Sequence, residues 1–174
     1  EARRGKDFMH ETAPAQELVR RIAANFKPPA GREAPLLELP SAPLWLRADP
    51  KKMEQAVGNV LSNAYKYSPG GGAVHIALAL AGAGGDAAEI CLRISDRGIG
   101  MKPGHVARVC ERFFRADTSG KIPGTGLGMS IVSEILQLHG GRVEIASEFG
   151  AGTAVELWLP AAAAPAEQIE APLE

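Results

Sequence analysis

One segment, from Asp49 to Gly72, limits the possible folds more than any other part of the sequence. Asp49-Pro50 predicts a helix start, because aspartate is a good N-cap and proline fits the first helical position. The helix should run to about Tyr67, where Ser-Pro-Gly-Gly-Gly at 68–72 ends it. Its apolar face carries Met53, Val57, Val60, Leu61 and Ala64. Such a face must be buried, so the chain needs a second layer for this helix to pack against.

The rest of the chain supplies two further helices and about six strands, mostly in hairpins. Helices are predicted over 14–26 and over 126–139, the latter with Leu127, Ile131, Ile135 and Leu138 on its apolar face. The predicted strands cover 36–39, 44–47, 74–80, 88–95, 142–146 and 153–159, and the last four form two hairpins. This pattern predicts an α/β (α+β) two-layer sandwich, in which a mixed, largely antiparallel sheet packs on three helices.

The composition excludes several classes of function. The chain has 174 residues and a net charge of −1, without a basic stripe, which argues against binding of nucleic acid. Its two cysteines, Cys91 and Cys110, form no CxxC or Cys/His cluster, so we expect neither a disulfide scaffold nor a zinc site. No apolar run is long enough to span a bilayer, and no signal peptide is recognisable. The chain is therefore expected to be soluble and cytoplasmic.

The polar face of the 50–67 helix carries Asn59, Asn63 and Lys66, so two amides and an ammonium point toward the same space. Amide oxygens are hard ligands that suit Mg²⁺, which commonly accompanies phosphates. The alternative is an ordinary solvated face, and for this helix alone the two interpretations have similar weight. Asparagine in the middle of a helix is unfavourable, which favours the functional interpretation slightly.

Two glycine-rich segments could approach a ligand closely. Asp96-Arg97-Gly98-Ile99-Gly100 follows a predicted strand, and its carboxylate could accept a hydrogen bond from an exocyclic amine such as adenine N6. Gly124-Thr125-Gly126-Leu127-Gly128 begins the last helix, whose free N–H groups could bind phosphate. Each segment taken alone is equally compatible with an ordinary turn. The region 96–125 between the flanking elements is long and has little predicted structure, as is typical of a ligand lid.

Five segments in this order resemble the motifs of the catalytic, ATP-binding domain of sensor histidine kinases. That domain belongs to the superfamily shared with gyrase, heat-shock chaperone and mismatch-repair ATPases. The resemblance covers residues 14–159. The matching segments are 59–69 (N box), 96–100 (first glycine box), 111–115 (phenylalanine box), 124–128 (second glycine box) and 150–153 (Gly-Thr box).

The resemblance implies ATP and Mg²⁺ as cofactors. Asn63 would be the main Mg²⁺ ligand, with Asn59 assisting, and Lys66 and Arg115 would contact the phosphates. Backbone N–H groups of Gly126, Leu127 and Gly128, in the box that begins Gly124-Thr125, would hold phosphate oxygens. Residues over about 111–125 would form a mobile lid.

The adenine would lie at the other end of the same helix. The resemblance implies that Tyr67 packs beside the base and that Asp96 accepts from N6. Gly98, Ile99 and Gly100 would let the backbone approach the base, and Thr153 would support the contact of Asp96 through a water molecule.

The resemblance also implies the reaction. Relatives that hydrolyse ATP carry a glutamate at the position of Asn59, and asparagine cannot accept a proton near neutral pH. Slow hydrolysis is therefore expected, with transfer of the γ-phosphoryl group to a histidine brought from outside and Asn59, Lys66 and Arg115 as catalytic residues. His10-Glu11-Thr12-Ala13-Pro14 is one residue shorter than the family's phosphoacceptor motif and too close to Asn59 for the usual helical hairpin.

The chain is accordingly expected to be a piece of a longer kinase. Residues 1–13 would be a linker or the end of the dimerisation helix, 14–159 the catalytic domain, and 160–174 a low-complexity tail. Expected partners are the histidine-bearing dimerisation domain of the same protein and a response regulator. This piece would be monomeric, and its parent a homodimer anchored in the bacterial inner membrane. Two alternatives stay open: a nucleotide-binding pseudokinase, and a serine kinase of the anti-sigma-factor type on the same fold.

Overall fold

The structure, a computed structural model, describes residues 8–82, 88–111 and 128–166. The helices are α1 (Ala15–Asn25), α2 (Pro50–Lys66), α3 (Pro103–Val106) and α4 (Gly128–Leu138). The strands are β1 (Glu11–Pro14), β2 (Leu36–Glu38), β3 (Trp45–Ala48), β4 (His75–Ala81), β5 (Glu89–Ser95), β6 (Arg142–Glu148) and β7 (Gly152–Pro160). Within these ranges, every predicted helix and strand is present, with ends within about two residues of the prediction.

Five strands form one mixed sheet in the order β2-β4-β5-β7-β6. Only β2 and β4 are parallel, while the hairpins β4–β5 and β6–β7 and the pair β5–β7 are antiparallel. The predicted sandwich with a largely antiparallel sheet is therefore confirmed. The sequence did not indicate β1, which pairs with β3 in a separate two-stranded sheet. The boundaries 1–13, 14–159 and 160–174 stay predictions.

Helix α2 lies across the inner face of the sheet. All five residues of its predicted apolar face are at most 5% exposed and belong to one core cluster with β4, β5 and β7. For α4, the predicted face is partly wrong. Ile135 is buried in the core and Ile131 packs against it, but Leu138 is 48% exposed, and Leu127 lies outside the described residues. Met129, Val132 and Leu136, which were not predicted for this face, are also buried in the core. The buried face of α4 is rotated relative to the predicted face because α4 packs against α2 as well as against the sheet.

Helices α2 and α4 run antiparallel, and the buried side chain of His139 links them at one end. Asp49 caps α2 by accepting hydrogen bonds from the backbone N–H groups of Lys51 and Lys52. The Asp49 N–H donates to Nε2 of His139 at 3.1 Å, and Nδ1 of His139 lies 2.7 Å from the Ile135 carbonyl oxygen. This pattern requires the neutral tautomer with its proton on Nδ1. Burial lowers the pKa of His139, and nearby His10 and Lys52 lower it further against the opposing effects of Ile135 and Asp49.

A neutral, buried His139 predicts a pH dependence of stability. Because its pKa lies below 6.5, its usual value, the unfolded chain binds this proton more readily than the folded one. The stabilising contribution is fully present above pH 6.5 and is lost as the pH falls through the lowered pKa. We expect His139→Gln to flatten the decline in the free energy of unfolding as the pH falls below 6.5. Urea unfolding measures this effect, with His75→Gln on the half-buried β4 position as control. An unchanged slope in His139→Gln would contradict the assignment.

No helix in the described ranges is long and apolar enough to cross a membrane.

Candidate functional site

The two asparagines on the polar face of α2 meet the beginning of α4. Nδ2 of Asn59 donates to the Gly128 carbonyl oxygen at 3.4 Å. A Cβ atom placed on Gly128 would lie 4.0 Å from Nδ2 of Asn63, so both amides lie at this helix start. Both asparagines are half-buried, and Lys66 one turn further on is exposed. The structure thus brings together the N box and Gly128 of the second glycine box. Predicted site residues Arg115, Gly124, Thr125, Gly126 and Leu127 lie outside the described residues.

The turn at 96–100 lies against the carboxyl end of α2. The Ile99 N–H donates to the Tyr67 carbonyl oxygen at 2.9 Å. A Cβ atom on Gly98 would come far closer than 3.0 Å to that same oxygen. Asp96 shapes the turn, because its Oδ1 accepts from the Gly98 N–H at 2.8 Å. The glycine at 98 is therefore explained by close backbone contact with the helix end.

The β6–β7 hairpin covers the other side of the same turn. The Asp96 N–H donates to the Thr153 carbonyl oxygen at 2.9 Å, and the Gly150 N–H donates to the Ile99 carbonyl oxygen at 2.7 Å. Gly100 has φ +66° and packs so closely on Glu148 that a Cβ atom would overlap its carbonyl group. The Gly-Thr box (150–153) and the first glycine box (96–100) thus form one packed unit, which is held at the carboxyl end of α2.

Ser147 links this unit internally, although no sequence motif pointed to it. Its Oγ accepts from the Met101 N–H at 2.8 Å and lies 2.8 Å from Oγ1 of Thr153. The Thr153 side chain, predicted to support Asp96 through water, is therefore held by Ser147. The residue could be found only from the β6–β7 register, in which Ser147 faces Thr153.

The Asp96 carboxyl group has a perturbed pKa. Burial raises its pKa, while backbone hydrogen bonds of Gly98 and Thr153 and the charge of Arg32 oppose the increase. A partly buried carboxylate with a ready acceptor oxygen suits recognition of a polar N–H group, because the interaction is charge-assisted and poorly screened. Perturbed acids of this kind are common at functional sites.

The donor set on α2 fits a hard cation. Within the three described ranges, no group of three or more His, Cys, Asp or Glu side chains could hold a metal ion. The asparagine pair offers amide oxygens instead. Because Asn59 uses Nδ2 to contact Gly128, its Oδ1 is left as an acceptor. Amide oxygens and water molecules are ligands that Mg²⁺ accepts.

The glycine contacts give a prediction for stability. Gly98→Ala should lower the free energy of unfolding by about 2–4 kcal/mol, because the Tyr67 carbonyl group occupies the space that a Cβ atom needs. Gly58→Ala is the matched control on α2, where nothing lies within 4 Å of a built Cβ atom. This second change should stabilise the protein by about 0.5–1 kcal/mol, as alanine is the better helix former. Denaturant unfolding of both variants tests the pair, and equal effects would contradict the packing described above.

Comparison with known proteins agrees with this geometry. The model of the family described as "Histidine kinase-, DNA gyrase B-, and HSP90-like ATPase" matches residues 48–163. The signal transduction histidine-protein kinase/phosphatase MprB of Mycolicibacterium vanbaalenii is 34% identical over 167 residues, which are 94% of this chain and 33% of that protein. The sensor histidine kinase WalK of Bacillus subtilis is 36% identical over 124 residues, 70% of this chain and 20% of WalK.

Solved structures show the same relationship. A mycobacterial sensor histidine kinase MprB structure has 30% identity and a TM-score of 0.68, covering 87% of this chain and 98% of that chain. Full-length ShkA in complex with AMPPNP has 28% identity and a TM-score of 0.70, covering 90% of this chain and 32% of that chain.

The fold and the family match define a domain of the class of ATPases that includes histidine kinases, DNA gyrase B and HSP90. Within it, this chain belongs to the histidine kinase branch and contains the ATP-binding catalytic domain of a two-component kinase. The fold and the kind of domain that the resemblance implies are therefore confirmed. The chain spans a third or less of the length of the curated relatives it matches.

Proposed function

We propose that this domain transfers the γ-phosphoryl group of ATP to a histidine on the dimerisation domain of its parent protein. The observation that supports this most is the convergence of α2, α4 and the 96–100 turn. Asn59 and Asn63 meet the start of α4, while Asp96 is held at the carboxyl end of α2. Helix α2 thus carries the two asparagines that we propose as metal ligands, and the turn that we propose to recognise the base lies against its carboxyl end.

Asp96 would select adenine. Its carboxylate accepts from an exocyclic amine and rejects a carbonyl oxygen at the same place, so adenine is preferred to guanine. Tyr67 would pack beside the base, with Gly98, Ile99 and Gly100 at van der Waals distance and Thr153 supporting Asp96 through a water molecule. The 96–100 turn is suited to this role because backbone hydrogen bonds hold it to the end of α2 on one side and to the β6–β7 hairpin on the other.

The phosphates would lie toward the start of α4. Asn63, assisted by Asn59, would hold Mg²⁺, which supplies positive charge against the triphosphate. Lys66 and Arg115 would add cations, and the N–H groups of Gly126, Leu127 and Gly128 would donate to phosphate oxygens, with Gly124-Thr125 in the same glycine box. These residues bind and orient the substrate, and none of them needs to accept a proton.

Transfer to histidine is favoured over hydrolysis by the same residues. Asn59 donates to Gly128 and has no proton-accepting group near neutral pH, so water is not activated there. A histidine nitrogen of the dimerisation domain would attack the γ-phosphorus as the bond to the ADP oxygen breaks. The protein contributes by positioning and by charge neutralisation.

We also propose the partners, the oligomeric state and the location of the parent protein. The phosphohistidine would pass its phosphoryl group to an aspartate of a response regulator, and the parent protein would be a homodimer anchored in the bacterial inner membrane with this domain in the cytoplasm. The curated relatives are named as sensor and signal transduction kinases, which supports such partners.

Incubation of this domain with its parent's dimerisation domain and γ-labelled ATP tests the proposal. We expect acid-labile label on that domain and little free phosphate. No label on the histidine despite normal ATP binding would favour a pseudokinase, and acid-stable label on a serine would favour a serine kinase. Either result would contradict the proposal.

A further inference from the structure

Arg32 lies outside every motif, in the loop between α1 and β2, yet its guanidinium group makes four hydrogen bonds near the site. Its Nη1 donates to the carbonyl oxygens of Ser68 at 2.8 Å and Tyr65 at 3.4 Å. Its Nη2 donates to Ser68 Oγ at 3.0 Å and the Gly72 carbonyl oxygen at 3.1 Å. One guanidinium group therefore fastens the last turn of α2 and the loop that follows it.

The other groups around this guanidinium are themselves fixed. The Tyr65 ring lies beneath it at 5.0 Å, and the Tyr65 hydroxyl donates to the Glu33 carbonyl oxygen at 2.7 Å. Ser68 is 1% exposed, and its Oγ donates to the Ala64 carbonyl oxygen at 2.6 Å while it accepts from Arg32. A cation at a helix carboxyl end also interacts favourably with the exposed carbonyl groups there.

This clamp acts on the part of α2 that holds the 96–100 turn. The clamped residues Tyr65 and Ser68 flank Tyr67, whose carbonyl oxygen accepts from Ile99. The positive charge of Arg32 also acts directly on Asp96, favouring its ionised form against the effect of burial. Arg32 therefore reaches Asp96 by two routes, through the backbone and through its charge.

We propose that Arg32 is a positioning residue for adenine recognition, which clamps the end of α2 and thereby holds the 96–100 turn that contains Asp96. This inference rests on the proposed function. The inference goes beyond the proposed function because it gives a role in nucleotide binding to Arg32, a residue of the loop between α1 and β2 and of none of the motifs. The alternative is that Arg32 only ties the 68–72 loop to the fold.

Arginine and lysine should differ at this position. A lysine keeps the charge near Asp96 but cannot serve four acceptors in one plane. Arg32→Lys is therefore expected to retain the pH profile of nucleotide binding and to lose part of the affinity, whereas Arg32→Gln loses both.

The test measures the Kd of AMPPNP for this chain by calorimetry across pH. We expect Arg32→Gln to weaken binding roughly 10-fold at neutral pH, an effect of about 1.4 kcal/mol. The pH below which affinity declines should also move upward. In an Asp96→Asn background, the same change should have much less effect. Arg20→Gln, on the exposed face of α1, is the matched control and should change neither quantity.

Equal losses of affinity in the wild-type and Asp96→Asn backgrounds, with an unmoved pH profile, would overturn the proposal and leave Arg32 a purely structural residue. A carboxyl NMR titration of Asp96 without nucleotide provides a second readout, in which Arg32→Gln, or Arg32→Met if the first variant is unstable, should raise the pKa of Asp96. An unmoved pKa would also overturn it. Failure of the wild-type chain to bind AMPPNP would instead contradict the proposed function, while the titration would still decide whether Arg32 acts on Asp96.

Discussion

Asp96→Asn should weaken the binding of an ATP analogue roughly 10- to 100-fold, the loss expected for one charge-assisted hydrogen bond. The asparagine oxygen can still accept from the Gly98 N–H, as Oδ1 of Asp96 does at 2.8 Å. The fold of the turn should therefore survive, and the loss should reflect the missing charge opposite adenine N6. Calorimetry with AMPPNP measures the effect.

Asp49→Asn is the matched control for this change. Asp49 is 4% exposed and lies at the opposite end of α2, where asparagine also serves as an N-cap. The control should leave nucleotide affinity unchanged. Wild-type affinity in Asp96→Asn would show that the base is recognised elsewhere.

Asp96→Asn should also change the pH dependence of nucleotide binding. Because burial raises the pKa of Asp96 above 3.8, its usual value, the carboxylate takes up a proton at a higher pH than an exposed aspartate. The affinity of the wild-type protein should fall as the pH approaches that raised pKa from above. In Asp96→Asn this decline should be absent, since no proton can bind there.

Asn63→Ala should abolish the dependence of nucleotide binding on Mg²⁺ and reduce phosphotransfer by roughly 100-fold or more, comparable to the loss of an important electrostatic contact. The variant removes an amide that faces the start of α4, yet leaves the apolar face of α2 untouched. Titrations of AMPPNP with and without Mg²⁺ should then give the same affinity.

Asn25→Ala, at the exposed end of α1, is the corresponding control and should retain the full Mg²⁺ effect. Asn59→Ala should have a smaller effect than Asn63→Ala, because Asn59 is proposed only to assist. An undiminished Mg²⁺ effect in Asn63→Ala would place the metal on other ligands.

The sequence predicted those parts of the fold that local pattern determines. Asp49-Pro50 and the glycines after Tyr67 mark the ends of α2, and alternation of apolar residues marks both hairpins. Strand β1 was missed because its four residues carry no alternation and end in proline, so only the pairing with β3 makes them a strand. The orientation of α4 was partly missed because it packs on both α2 and the sheet.

The candidate site likewise contains residues that the sequence indicated and residues that it did not. Asn59, Asn63 and Asp96 belong to contiguous motifs, so the sequence indicated them before their geometry was known. Arg32 and Ser147 have no motif, because their partners lie far along the chain, 36 residues away for Ser68 and 46 for Met101. Such contacts depend on how the elements pack, which periodicity does not report.

We propose that this domain binds Mg²⁺ and an adenine nucleotide between Asn63 and Asp96. The most direct test is calorimetric titration of the chain with AMPPNP, with and without Mg²⁺, and with the guanine counterpart. We expect Mg²⁺-dependent binding of the adenine nucleotide and at least about 10-fold weaker binding of the guanine form. Equal affinity for both bases, or no binding of either, would contradict this proposal.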